Sequence, residues 1–184
     1  MARQAGVAYG LVYHYFRNKD ELLESVFEEQ WAILIGAIRA IAEGPGSAAE
    51  QIASVICFAL DVFRTAPAAV RVLILEVPRT PGVLRAGSTR QTFETALRLV
   101  ADVVRRGQEA GELRSDVEPM VCAASVLGIL DMSLTGMVTG MLTAPQPSEE
   151  ELERMKRQVV DVALQAIVAP WGRGGRPGDG ASHD

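Results

Sequence analysis

Residues 2–22 read ARQAGVAYGLVYHYFRNKDEL, and no other stretch constrains the fold as much. Ala5-Gly6-Val7 is a small-residue turn, followed by a short apolar and aromatic segment, Ala8 to Phe16, with Gly10 inside it. Asn18-Lys19-Asp20-Glu21-Leu22 then restarts a helix. Two short helices meeting at a glycine-containing turn describe a helix-turn-helix, whose second helix enters the major groove of double-stranded DNA. The formal net charge of −5 does not announce a nucleic-acid binder, but Met1 to Lys19 holds no acid while Arg3, Arg17 and Lys19 are positive. Phosphate contact needs such a local basic patch, whatever the overall balance.

Behind this stretch the apolar residues keep a helical period. Asn18 is placed to cap a helix, with Glu21 three residues on completing a capping-box-like pair. Leu22, Leu23, Val26, Phe27, Leu34, Ile35 and Ile38 follow at helical spacing until Gly44-Pro45-Gly46 stops them. Ser47 and Glu50 form a second capping box, ahead of a stripe of Ile52, Val55, Ile56, Ala59 and Phe63. Pro67 suits the first turn of a further helix, carrying Val70, Leu73, Ile74 and Val77 and closing at Pro78. Arg79 to Ser88 reads as a loop. From Thr89 to Gly107 an amphipathic helix turns Phe93, Leu97, Val100 and Val104 inward and Glu94, Arg98, Asp102 and Arg106 outward. Asp116 is the candidate cap of the next helix. Only 5% of the residues are aromatic and Ala, Val and Leu abound, which favours helical packing over a sandwich or barrel. The expected fold is all-α.

Pro119 to Thr143 is apolar with a single charge, Asp131, and contains Gly136-x-x-x-Gly140. It is long enough to span a bilayer. Asp131 near its centre would cost about 2.5–3.5 kcal/mol there, and Ser125, Ser133, Thr135 and Thr139 soften the run. A helix buried on most sides at a subunit interface fits better, with no membrane partner. Ser148 opens the last helix, with Glu149, Glu150 and Glu151 favourable to its dipole. Leu152, Met155, Val159, Val162 and Ala166 then recur at 3-4-3-4 spacing, the seam of left-handed helix packing. With Leu127 and Leu134 of the preceding helix they predict a two-fold, four-helix interface between two copies. Pro170 ends the helix, and the Gly- and Pro-rich residues 171–184 are expected to be disordered.

The order inside residues 2–22 is more specific than a glycine turn. There the chain resembles the tetracycline-repressor (TetR) family of bacterial transcriptional regulators, whose DNA-binding segment runs A-x-x-A-G-V-S-x-G-[TSA]-[LIV]-Y-x-[YH]-F-x-[SN]-K-[ED]-x-L. Ala2, Ala5, Gly6, Val7, Gly10, Val12, Tyr13, Tyr15, Phe16, Asn18, Lys19, Asp20 and Leu22 fit it. Arg105 to Pro119, RRGQEAGELRSDVEP, is similar to the family's junction between its seventh and eighth helices. Two residues depart from the pattern. Ala8 stands where the family has Ser, and loss of such a cap costs about 0.5–2 kcal/mol. Leu11 replaces a small polar residue; it makes no hydrogen bond to a base but suits a thymine methyl. The family also carries a first helix before this motif, so the chain is expected to be N-terminally short.

The resemblance implies roles. Tyr9 and Leu11 match positions that face bases, and Gly10 lets that helix approach closely. Tyr13, Tyr15 and Lys19 match positions that meet phosphates. An effector pocket is implied among the C-terminal helices, with Phe58, Phe63, Leu73, Phe93, Leu97 and Met120 as candidate lining and Glu76 as its polar member. The division implied is a partial DNA-binding unit over 1–30, a ligand-binding and dimerisation unit over 31–170, and the tail. The expectation is a homodimeric repressor released from a DNA operator by a small lipophilic effector. The alternative is a ligand-binding or interaction protein of the same fold that no longer binds DNA. Nothing suggests an enzyme, a cofactor or a metal. His14 lies in the DNA-contacting segment and His183 in the tail, and no cluster has metal spacing. Cys57 and Cys122 sit in apolar helical runs as expected buried thiols, and no signal peptide is visible, so the chain reads as cytoplasmic.

Overall fold

In the computed structural model, which describes residues 16–76, 87–144 and 147–168, the helical spacings become six α-helices and one π-helical turn. Helix α1 (Lys19–Ala42) starts where Asn18 Oδ1 accepts the N–H of Glu21 at 2.8 Å. The Glu21 carboxylate does not close a box on Asn18; it takes the N–H of Arg17, one residue earlier, at 2.6 Å. After a turn in which Gly46 adopts φ 112°, α2 (Ala48–Thr65) begins with a reciprocal box. The Glu50 N–H meets Ser47 Oγ at 3.2 Å and the Ser47 N–H meets Glu50 Oε2 at 2.8 Å. Glu112, distant in sequence, accepts the next free donor, the N–H of Ala48, at 2.7 Å.

Pro67 opens the short α3 (Pro67–Arg71), and the chain bends by 108° from α2 as it does so. A regular helix was expected to continue; the backbone instead widens into a π-helical turn over Val72–Glu76. Such turns are rare and are frequent at functional sites. Val77, Pro78 and most of the expected loop lie outside the described residues. Helix α4 (Gly87–Glu109) begins two residues before the expected Thr89. Helix α5 (Pro119–Thr139) has Pro119 in its first turn, but Asp116 does not cap it. The Arg114 guanidinium holds both Asp116 carboxylate oxygens, at 2.8 and 2.7 Å, so neither is free for an N-terminus. Gly140, at φ 77°, stops α5 before Thr143, and the N–H of Met141 returns to the carbonyl of Gly136 at 2.8 Å. Helix α6 (Glu149–Val168) is capped by Ser148 and Glu151 in the manner of α2.

Helices α2, α4, α5 and α6 share the main core, in which Ile56, Leu60, Val104, Met137 and Ile167 are inaccessible to solvent. Helix α1 adds only its last residue, Ala42, to this core and otherwise docks outside it. Ile38 packs with Val55, Ala96, Val100 and Ala123, while Phe27, nearer the start, packs against Trp31, Val72 and Leu73. Helix α5 is long and apolar enough to cross a membrane, but half of its most apolar stretch is buried inside the protein.

The last helix buries a different stripe from the one its sequence suggests. Leu152, Lys156, Val159, Ala163 and Ile167 face inward, whereas Val162 is 55% exposed and Ala166 is exposed. That 4-3-4-4 spacing follows the 3.6-residue period of a helix packed on its own chain. Lys156 hides the pattern from an apolar reading. Its ammonium reaches Asp61 of α2 at 2.5 Å and Glu153 at 2.7 Å. Burial pulls its pKa down, but the two carboxylates push it up and prevail. Leu134, Leu152 and Val159, expected between subunits, thus belong to the chain's own core, with Met155 packed against it and Leu127 beside the Ile38 cluster. The large apolar side chains left outside on α5 and α6 include Val121, Met132 and Val162.

The caps and ion pairs make acid stability predictable. The Ser47 N–H holds Glu50 below its ordinary carboxylate pKa, and the Ser148 N–H does the same for Glu151. Arg114 depresses Asp116 and Arg90 depresses Glu94. Each group titrates lower folded than unfolded. Its contribution is therefore complete above the unfolded carboxylate range and lost as pH falls through the depressed values. Thermal midpoints followed by circular dichroism should drop once the pH passes below about 4. The double variant Glu50→Gln, Glu151→Gln should lower the midpoint at neutral pH and flatten this acid slope; an unchanged slope would remove the caps from the account.

Candidate functional site

Tyr9, Gly10, Leu11, Tyr13 and Tyr15 lie outside the described residues, as does the side chain of Lys19. The described geometry begins at α1, the helix that Lys19 opens. At 1.5 Å per residue Trp31 lies about 18 Å along α1 from Lys19, and Ala42 about 35 Å.

The far end of α1 is pinned. Arg106 Nη2 donates to the carbonyl of Ala42 at 2.7 Å and to Gln51 Oε1 at 3.3 Å, and Gln51 Nε2 donates to the carbonyl of Gly44 at 2.8 Å. A guanidinium at the last carbonyls suits the negative end of the helix dipole. Arg106 stands on the exposed face of α4, as expected; Asp102 pairs with Arg105 at 2.6 Å, and Arg106 reaches α1.

Nearer the reader, α1 meets α4 and the π-helical turn through aromatic rings. The ring centroids of Phe27 and Trp31 are 5.5 Å apart, those of Phe27 and Phe93 5.8 Å, and those of Trp31 and Phe93 4.8 Å in an edge-on arrangement. Such spacings allow attraction beyond area burial. Val72 and Leu73 pack against the same group. Phe93 was expected inside, yet it is 45% exposed, because its partners are the rings of α1 outside the main core.

The structure brings Leu73 and Phe93 to this joint, but not the other pocket candidates. Leu97 packs one layer along with Ile38 and Val100, Phe63 lies in the main core, and Phe58 is half-buried. Met120 is 43% exposed at the start of α5. Glu76 ends the π-helical turn, its side chain outside those described. The residue missed in the sequence is Trp31. Its signal was present, since Phe27 and Trp31 stand at i and i+4 and so share one helix face.

Both cysteines are free thiols, and burial pushes each pKa up, away from thiolate. On α5, partial desolvation pushes up the carboxyl of Asp131, a residue on the exposed side of the helix. Among the described residues no group of three or more His, Cys, Asp or Glu side chains is placed to hold a metal ion.

The chain also matches known proteins. The family description "Tetracyclin repressor-like, C-terminal domain" matches residues 49–163, more than half of the chain, and "Bacterial regulatory proteins, tetR family" matches residues 1–26. The chain is 25% identical over 138 residues to the fatty acid metabolism regulator protein of Bacillus subtilis (strain 168), covering 75% of this chain and 71% of that protein. Its fold superimposes on the transcriptional regulator FadR of Bacillus subtilis in complex with stearoyl-CoA with a TM-score of 0.73, at 23% identity, over 90% of this chain and 86% of the other. The fatty acid degradation regulator FadR of Bacillus halodurans gives a TM-score of 0.73 at 22% identity, over 89% and 81%. The ketosteroid transcriptional regulator of Mycobacterium tuberculosis gives 0.69 at 16% identity, over 92% and 83%.

Proposed function

Since the chain belongs to the tetracycline-repressor (TetR) family of bacterial regulatory proteins, we propose that it is a homodimeric repressor whose hold on a DNA operator is loosened by a long-chain fatty acyl-CoA. Residues 1–30 make the DNA contacts, and residues 31–170, joined by Phe27 at the boundary, bind the effector and the second copy. The observation that carries this reading is the mounting of α1. Its far end is tied by Arg106 and Gln51, and its nearer half rests on apolar and aromatic contacts with the π-helical turn and α4. An amphipathic molecule entering that joint acts directly on the helix that continues from the reader.

Leverage makes a small change sufficient. A rotation of 5° about the pinned end would displace Lys19 by about 3 Å over the length of α1. Two readers must meet half-sites about 34–36 Å apart, or a multiple of that, so this spoils simultaneous contact. The effector shifts the equilibrium only by its preference for the displaced state. The match to a fatty acid metabolism regulator supports the acyl-CoA class, and the exposed Val121, Met132 and Val162 on α5 and α6 support contact with a second copy.

The experiment is binding to the DNA flanking the protein's own gene, measured across a salt series. Lys19→Ala should weaken binding to all sequences alike and reduce the salt slope by about 1. Tyr9→Ala should change which sequences are preferred, at about 1–3 kcal/mol of discrimination. Equal effects from both substitutions would overturn these roles, and salt-independent binding would overturn phosphate contact altogether.

A further inference from the structure

Trp31 brings a polar atom into the aromatic joint, and that atom has no partner. Its indole Nε1 is shielded from solvent and donates to nothing, whereas buried donors are paired in the great majority of cases. Beside Trp31 stand the rings of Phe27 and Phe93, and the aliphatic Val72 and Leu73 pack on Phe27; none of these offers a side-chain acceptor. An indole nitrogen only donates, so whatever satisfies it must carry an acceptor. The side chains that pack on Phe27 here are all apolar, and Arg90, at the start of α4, lies in solvent with Glu94 at 2.8 Å. A carboxylate drawn among these apolar side chains would be desolvated, which is costly, whereas a neutral carbonyl needs only the hydrogen bond.

We propose that the Trp31 indole N–H is the polar anchor of the effector, donating to the neutral carbonyl oxygen of an acyl thioester while the acyl chain lies against Phe27, Phe93, Val72 and Leu73. This rests on the acyl-CoA reading above and adds to it a residue and a rule of discrimination, thioester over free acid. Phe93 stands at the open side of the joint, its ring edge-on to Trp31 and 45% exposed, so that its displacement admits the ligand. Because the donor belongs to α1 itself, making the bond pulls on the helix about 18 Å from Lys19.

The test titrates the full chain, by calorimetry, with palmitoyl-CoA, palmitate and coenzyme A alone. Trp31→Phe keeps a ring and removes the donor. Palmitoyl-CoA should bind about tenfold more weakly to Trp31→Phe than to the unaltered chain, the size of one buried hydrogen bond. Palmitate should bind the unaltered chain more weakly than palmitoyl-CoA, and should be indifferent to the substitution. The thermal midpoint of Trp31→Phe should fall only by what the smaller ring leaves unfilled, because the removed donor had no partner to lose. In a Trp171→Phe background, where Trp31 is the remaining tryptophan, its emission should shift to longer wavelength on adding palmitoyl-CoA. If palmitoyl-CoA binds both proteins within twofold, or palmitate depends equally on Trp31, the anchor is overturned and the acyl-CoA reading stands. If the unaltered chain binds neither palmitoyl-CoA nor palmitate, both fall together.

Discussion

Truncating Phe27 to alanine is expected to remove about 3–5 kcal/mol from the docking of α1, the range for a buried phenylalanine that leaves a cavity. The side chain is 1% exposed, touches two other rings, and fixes the nearer half of α1 to Val72 and Leu73. The far half has its own attachments, Ile38 in the second cluster and the Arg106 bond to Ala42, and these survive the substitution. The loss should therefore be local. Amide exchange around Glu28 to Trp31 should accelerate by roughly two orders of magnitude, while amides in α2 and α6 keep their protection. Ile33→Ala, on the outer face of α1 at 58% exposure, is the control and should change stability by less than about 0.5 kcal/mol. Uniform acceleration throughout the protein would show that α1 is not a separately docked element.

Gly107→Ala should also be strongly destabilising, by about 1–3 kcal/mol, although alanine is the better helix former. A Cβ built at Gly107 would stand 2.5 Å from the Cβ of Ala48 and 2.8 Å from the Leu113 side chain. Ala48 has no rotamer with which to retreat, since its Cβ moves only with the backbone of α2. The carbonyl of Gly107 also accepts from the N–H groups of Glu112 and Leu113, at 2.8 and 3.1 Å. Gly136→Ala provides the contrast. Its Cβ would meet Leu142 at 2.5 Å, but Leu142 is 53% exposed and can swing into solvent. Chemical denaturation should place Gly136→Ala near the unaltered protein and Gly107→Ala well below it. The reverse order would mean that the approach of α2 to the end of α4 is not tight.

The fold was largely legible because its signals are local. The capping box at Ser47 and Glu50, Pro67 and Pro119 in first turns, and the stripe through Val100 and Val104 each depend on residues within a turn or two of one another. What the sequence hid were bonds between distant segments. Asp116 reads as a cap until Arg114 is seen to occupy it, and the exposed Arg106 gives no sign in the sequence of its bond to the end of α1. Lys156 conceals the buried stripe of α6 because a lysine is not an apolar residue, yet Asp61 on another helix makes its burial tolerable. The candidate site was harder still. Leu73 and Phe93 were foreseen as pocket residues, but as members of a general core. Their meeting with Trp31 depends on the bend at Pro67 and on the π-helical turn, and neither leaves a periodic mark in the chain.

The central claim is that one molecule at the α1 joint and one operator compete through the same helix, and thermodynamic linkage tests it directly. Operator affinity would be measured by fluorescence anisotropy with and without saturating palmitoyl-CoA, and palmitoyl-CoA affinity by calorimetry with and without operator. The account predicts that each ligand weakens the other by the same factor, within about 5- to 150-fold, and that coenzyme A alone does neither. Palmitoyl-CoA that binds tightly while leaving operator affinity unchanged would contradict it.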